Sequence, residues 1–125
     1  MCEIVASRLP ADRAIDVVDL GCGTGSLACL LAAALPRATI VGLDISAPNI
    51  ALANARKSVQ DAAIGARIRF EQADYLDRAQ SSADAIASDG VLHLIPGSTR
   101  ALFAKLAADL RPGGVLVACM PYDCA

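Results

Sequence analysis

Five short apolar runs, each separated from the next by a helix-like stretch, constrain the fold of this chain more than any other feature. They are "AIDVVDL" at 14–20, "TIVGLD" at 39–44, "RIRFEQA" at 67–73, "ADAIAS" at 83–88 and "VLVACM" at 115–120. Most are too continuously apolar for a sheet with one wet face, so they read as strands covered on both sides. The segments between them carry helix punctuation. A first helix spans Glu3 to Leu9 and is stopped by Pro10, and a second runs from Gly25 to Leu35 before Pro36. Ser46 stands at an N-cap with Pro48 just inside, for a helix to Ala63 with Gly65 as its C-cap. Ser98 caps a last helix, on which Leu102, Phe103, Leu106 and Leu110 recur at helical spacing before Pro112-Gly113-Gly114 ends it. Strands alternating with helices of this length imply right-handed crossovers and a parallel sheet. The expected class is α/β, a doubly wound sheet of five parallel strands in a single domain over 1–125.

Composition narrows the partners. A net charge of −2 and only 3% aromatic residues give neither the basic face nor the stacking platforms of a nucleic-acid binder. The chain is 55% hydrophobic with mean hydropathy +0.49, as a globular domain is. Its longest apolar run, 27–35, is about half the roughly 20 residues that a bilayer requires, so no membrane partner is expected. The N-terminus lacks the apolar stretch of a secretory signal. The five cysteines are odd in number and form no CxxC pair, so they read as reduced thiols in cytoplasm. His93, the only histidine, has no cysteine partners at ligand spacing, and no metal site is expected.

The chemistry concentrates at "VVDLGCGTGSLA", 17–28. In a doubly wound sheet the ligand lies beyond the carboxyl ends of the strands, so this loop after the first strand is the expected cradle. Its glycines permit close backbone approach, and the next helix presents its N-terminus to the same space. A dinucleotide fingerprint, G-x-G-x-x-G, would place its third glycine at Ser26. The spacing is instead D-x-G-x-G-x-G, over Asp19, Gly21, Gly23 and Gly25. An acid beside the loop sits poorly next to a pyrophosphate and suits an ammonium or sulfonium, which favours S-adenosylmethionine over NAD. Asp44 ends the second strand, where a carboxylate accepts from ribose hydroxyls in binders of either cofactor. Asp74 ends the third, either as an acceptor for an adenine amine or as an ordinary turn residue.

With these acids and glycines at the ends of three successive strands, the chain resembles the class I S-adenosylmethionine-dependent methyltransferases, whose fold is Rossmann-like. "VVDLGCGTG" is similar to their first motif, "VGLDIS" to their ribose-binding acid and "EQADYL" to their adenine-contacting turn. "ADAIASDGVLHLI" and "LRPGGVLV" resemble their fourth strand and the entry to their fifth. The resemblance spans about residues 15–121. It implies that Asp19, Gly21 and Gly23 hold the methionine end of the cofactor, with Cys22 alongside through its backbone. It further implies that Asp44 binds the ribose, Ile45 and Asn49 border the adenine, Asp74 and Tyr75 contact its edge, and Ser88 and Asp89 flank the amino-acid part.

The implied reaction is direct displacement of a sulfonium methyl by a small-molecule acceptor. Cys22 is not needed as a nucleophile for it. His93 is the candidate base or substrate contact, against a packed histidine closing the turn in "GVLHLIPG". "SDGVLH" lacks the N/D-P-P-Y/F loop of the adenine-methylating enzymes, which argues against nucleic acid. The region from Val91 to Pro121 is loosely similar to the trans-aconitate methyltransferase type, which esterifies a carboxylate. The family's last two strands, a C-terminal hairpin, are missing from the pattern. Strand five is therefore expected to be an apolar edge that pairs with a second copy or a companion segment. A cofactor-binding fragment or regulatory module without turnover is the alternative reading, and an NAD-binding domain is a further one.

Overall fold

The computed structural model describes residues 1–90, 92, 95 and 97–119. Five strands form one sheet: β1 (Ile15–Leu20), β2 (Ala38–Asp44), β3 (Ile68–Gln72), β4 (Ala83–Asp89) and β5 (Leu110–Cys119). Their order is β3-β2-β1-β4-β5 and every pairing is parallel. The helices are α1 (Cys2–Ser7), α2 (Ser26–Ala34), α3 (Ala47–Ser58), α4 (Ala62–Gly65) and α5 (Thr99–Asp109), with one 3-10 turn at Tyr75–Asp77. Chain order reverses at β1, between β2 on one side and β4 on the other. That is the switch point at which doubly wound sheets bind ligands.

Alternation along the strands divides the core. Ile15, Val17 and Ile40 face α1 and α2 with Val5, Leu31 and Ala32, whereas Val18, Leu20 and Leu43 face α5 with Leu102 and Leu106. Gly42 leaves the space that the Phe70 ring fills, since a Cβ there would lie 2.6 Å from Phe70 Cδ1. Arg67 donates to the carbonyls of Ala32, Leu35 and Ala38, which satisfies the end of α2 and the start of β2.

Two boundaries differ from expectation. The helix expected to continue to Ala63 ends at Ser58. Asp61 then starts a separate turn by accepting the Ala63 amide at 2.9 Å, a local bond that competes with helix continuation. The last helix is stopped by strand pairing rather than by Pro112-Gly113-Gly114. Leu110 is already extended opposite Ala83, and pairing resumes at Val115 opposite Ala85, so 111–114 bulges within β5. Arg111 anchors this bulge, donating to Asp84 at 2.6 Å and to Asp16 at 2.7 Å. Among the described residues, β5 is an edge strand.

Candidate functional site

The glycine loop follows β1 in three left-handed steps, with φ of 72° at Gly21, 55° at Gly23 and 87° at Gly25. Two of these positions are demanding in different ways. A Cβ on Gly25 would meet Phe70 Cζ at 2.8 Å and Ala53 Cβ at 3.1 Å, so the loop closes tightly on the body there. A Cβ on Gly23 would meet nothing within 4 Å, so Gly23 borders open space. The loop is tied to β2 and α3 by three hydrogen bonds. The Cys22 amide donates to the Leu43 carbonyl at 2.8 Å, the Gly23 amide to Asp44 Oδ2 at 2.8 Å, and Arg56 Nε to the Thr24 carbonyl at 3.0 Å.

Beside the loop lies a pocket of about 380 Å³, whose lining includes Gly21, Asp44, Ile45, Asn49, Asp74 and Tyr75. Six residues singled out in the sequence therefore converge on one cavity. Asp44 takes part with both oxygens already accepting, Oδ2 from Gly23 and Oδ1 from the Ser46 amide at 2.8 Å. Each oxygen retains a further lone pair. Asp74 lines the pocket, and its Oδ1 accepts the Leu76 amide at 3.3 Å, capping the 3-10 turn. Tyr75 borders the pocket, but its hydroxyl is turned inward and donates to Asp109 Oδ2 at 2.7 Å. Burial and the Asp109 carboxylate raise the Tyr75 pKa.

Asp19, Cys22, Gly23, Ser88 and Asp89 do not line that pocket. Asp19 and Ser88 are buried at the ends of the two central strands, with Leu20 of β1 paired to Ser88 of β4. Among the described residues, Asp19 Oδ2 and Ser88 Oγ are buried and without a hydrogen-bond partner. Orphaned polar atoms of this kind are costly and call for a ligand donor. Burial, together with the nearby carboxylates of Asp89 and Asp44, pushes the Asp19 pKa up to about 7. The same burial and the charges of Asp19 and Asp44 push the Cys22 thiol to about 12, so it is held protonated. Asp89 opens instead on a second depression of about 330 Å³, which it shares with Glu3, Ser26 and Leu30. His93 lies outside the described residues.

The sequence missed Leu20, Leu43, Ser46, Ala73 and Ile95 as pocket residues, although Leu20, Leu43 and Ala73 each neighbour an acid that it singled out. It also passed over Asp109. An acid in the last turn of a helix opposes the helix dipole, and that was the available signal.

The cleft at the switch point is thus bordered by the left-handed Gly21 and by the carboxylates of Asp44 and Asp74, where β2 and β3 end. The profile of the methyltransferase domain family matches residues 18–116, and the chain belongs to that family. It is 40% identical over 115 residues to trans-aconitate 2-methyltransferase of Deinococcus radiodurans, covering 92% of this chain and 41% of that protein. Trans-aconitate 2-methyltransferase of Azoarcus sp. is 38% identical over 120 residues, covering 94% and 44%. The chain thus spans about two fifths of the length of the curated relatives it matches. Among solved structures, StiE O-MT superposes with TM-score 0.79 at 26% identity, covering 93% of this chain and 41% of that one. A SAM-dependent methyltransferase from Geobacter sulfurreducens, in complex with S-adenosyl-L-homocysteine, shares the fold with TM-score 0.74 at 24% identity, covering 94% and 46%.

Proposed function

We propose that this chain is the S-adenosylmethionine-binding core of a methyltransferase acting on a small-molecule acceptor. The single observation that carries the reading is Asp19 Oδ2, buried and without a hydrogen-bond partner among the described residues, within the field of Asp44 and Asp89. A cationic ligand supplies both the missing donor and the compensating charge. Asp19 and Ser88 would hold the amino-acid end, Gly21 and Gly23 would admit it closely, and Asp44 would accept from the ribose hydroxyls. Ile45, Asn49, Ala73 and Asp74 would enclose the adenine. When bound, the cofactor supplies an electrophilic sulfonium methyl open to direct displacement.

The protein's own contribution is alignment and exclusion of water. Holding reactants in near-attack geometry contributes up to about 7–11 kcal/mol, so a positioned acceptor can react without a base. A carboxylate needs none, and the trans-aconitate 2-methyltransferase relatives favour that acceptor class. An acceptor bearing a proton would call on His93. The net charge of −2 supports a small acceptor over nucleic acid. The free cysteines Cys2, Cys22, Cys29 and Cys119 fit a cytoplasmic setting, and no described helix is long and apolar enough to cross a membrane. The edge that β5 forms among the described residues is read as a pairing surface for a second copy.

Binding without turnover is the second reading, favoured by one observation. The residues read as the cofactor cradle fall within this chain, while the chain spans about two fifths of its relatives. Thermal shift with S-adenosylhomocysteine tests the shared claim. Ligand at 100 times its Kd adds about 2.7 kcal/mol, an easily read shift for a small domain. No shift with either the cofactor or its demethylated product overturns it. Transfer of labelled methyl to trans-aconitate then separates the two readings.

A further inference from the structure

The loop from Ala73 to Ser82 joins β3 to β4 and brings Ala73, Asp74 and Tyr75 into the pocket wall. Both of its ends are held by one buried carboxylate at the end of α5. Asp109 Oδ2 accepts from the Tyr75 hydroxyl at 2.7 Å, and Oδ1 accepts from the Ser81 amide at 3.0 Å. Lys105, one helical turn earlier, lies 3.2 Å from the same Oδ2, and its Nζ sits 4.9 Å from the centre of the Tyr75 ring. Asp109 is only 1% exposed. Packing α5 against the sheet does not require an acid there, because Leu102 and Leu106 already supply the apolar face. A carboxylate in the last helical turn is electrostatically unfavourable, and a buried one survives only when its acceptors are filled. What it gains is a fixed geometry for the loop.

We propose that Asp109 is a positioning residue for cofactor binding: through the Tyr75 hydroxyl and the Ser81 amide it fixes the Asp74–Tyr75 wall of the pocket. This rests on the reading of that pocket as the cofactor site. Against its burial, the Tyr75 hydroxyl, the Ser81 amide and Lys105 together hold the Asp109 carboxyl below the usual range, and Lys105 lies over the Tyr75 ring, so the three side chains act as one unit.

The test is S-adenosylhomocysteine binding by calorimetry to the wild-type chain and to Tyr75→Phe, Asp109→Ala, Asp109→Asn and the Tyr75→Phe/Asp109→Ala double variant. Each single loss is expected to raise Kd about fivefold or more. The double variant is expected to be no weaker than the worse single one, and Asp109→Asn, which keeps one of the two acceptors, to fall between wild type and Asp109→Ala. A merely structural role lowers the melting temperature and leaves the Kd of the folded protein at the wild-type value; that result overturns the proposal. Should Asp109→Ala fail to fold, Tyr75→Phe removes a single oxygen and decides by the same criterion. If the wild-type chain does not bind the ligand, the proposed function fails first, and hydrogen exchange decides the positioning separately. Tenfold faster exchange at the Leu76 and Ser81 amides of Tyr75→Phe, with Val18 and Ile86 unchanged, supports the pinned wall. Unchanged exchange at Leu76 and Ser81 removes it.

Discussion

Asp44 Oδ2 accepts the Gly23 amide at 2.8 Å, so the carboxylate at the end of β2 holds the glycine loop that follows β1. The same side chain takes the Ser46 amide through Oδ1 and so shapes the entry to α3. One residue thus organises the cradle before any ligand arrives. Asp44→Ala removes two charge-assisted bonds and is expected to lower stability by about 2 kcal/mol and S-adenosylhomocysteine affinity by about tenfold. Asp44→Asn, which can still accept one of the two, is expected to fall between. Urea denaturation and calorimetry check both, and an alanine variant that binds like wild type removes the residue from the site.

Gly23 and Gly25 share a left-handed backbone but differ in their surroundings, and the two alanine variants should separate. Gly25→Ala places a methyl against Phe70 and Ala53 in addition to its backbone strain, for a stability loss of about 2–5 kcal/mol. Gly23→Ala carries only the strain, about 1–2 kcal/mol, and its methyl would stand in open space beside the proposed cofactor site. Ligand affinity should therefore drop in Gly23→Ala while the fold holds. Equal melting temperatures for the two variants would contradict the packing difference.

Asp19 gives the site a pH dependence. Its pKa in the folded protein, about 7, lies above the ordinary value of 3.8, so the native state holds an extra proton between those values. The contribution of Asp19 to stability therefore falls as pH rises through that window. Asp19→Asn cannot lose a proton, and its stability relative to wild type should improve from pH 4 to pH 8. A cationic ligand stabilises the charged form, so binding near pH 6.5 is expected to release protons and to tighten toward pH 8. Calorimetry in buffers of different ionisation enthalpy reads the proton count, and proton uptake on binding is the contrary result.

At the opposite end of the sheet, Arg111 bridges Asp84 and Asp16 and so ties β5 to β4 and β1. Burial raises the Asp84 pKa, but the Asp16 amide, Arg111 and Arg13 outweigh it and hold the carboxyl below the usual range. The stability this adds is present above the ordinary carboxylate pKa and is lost as pH falls through the depressed one. Arg111→Met should move acid unfolding to higher pH and speed amide exchange in β5, with β2 unaffected. An unchanged acid transition argues that the bridge is dispensable.

Alternation of apolar runs with capped helices made the five parallel strands legible, because each signal lies within a few residues. Ser46 and Ser98 act as N-caps as read, accepting from Asn49 and Ala101. Local signals were weaker at element ends. Asp61 won a capping bond where a continuous helix was expected, and the end of α5 was settled by the pairing of Leu110 with Ala83. The site divides along the same line. The glycine spacing and the acids at strand ends were visible because a parallel sheet brings successive carboxyl ends to one side.

The sequence by itself determined the layered α/β architecture, the glycine loop and the identity of the acids around it, since these follow from short-range periodicity and spacing. Only the tertiary structure decided which of those groups are free to meet a ligand. Among the described residues it left Asp19 Oδ2 and Ser88 Oγ without partners, occupied both Asp44 oxygens and turned the Tyr75 hydroxyl to Asp109, 34 residues away in the chain. Whether a buried polar atom is satisfied depends on segments that meet only when the sheet closes, and no local pattern records that meeting.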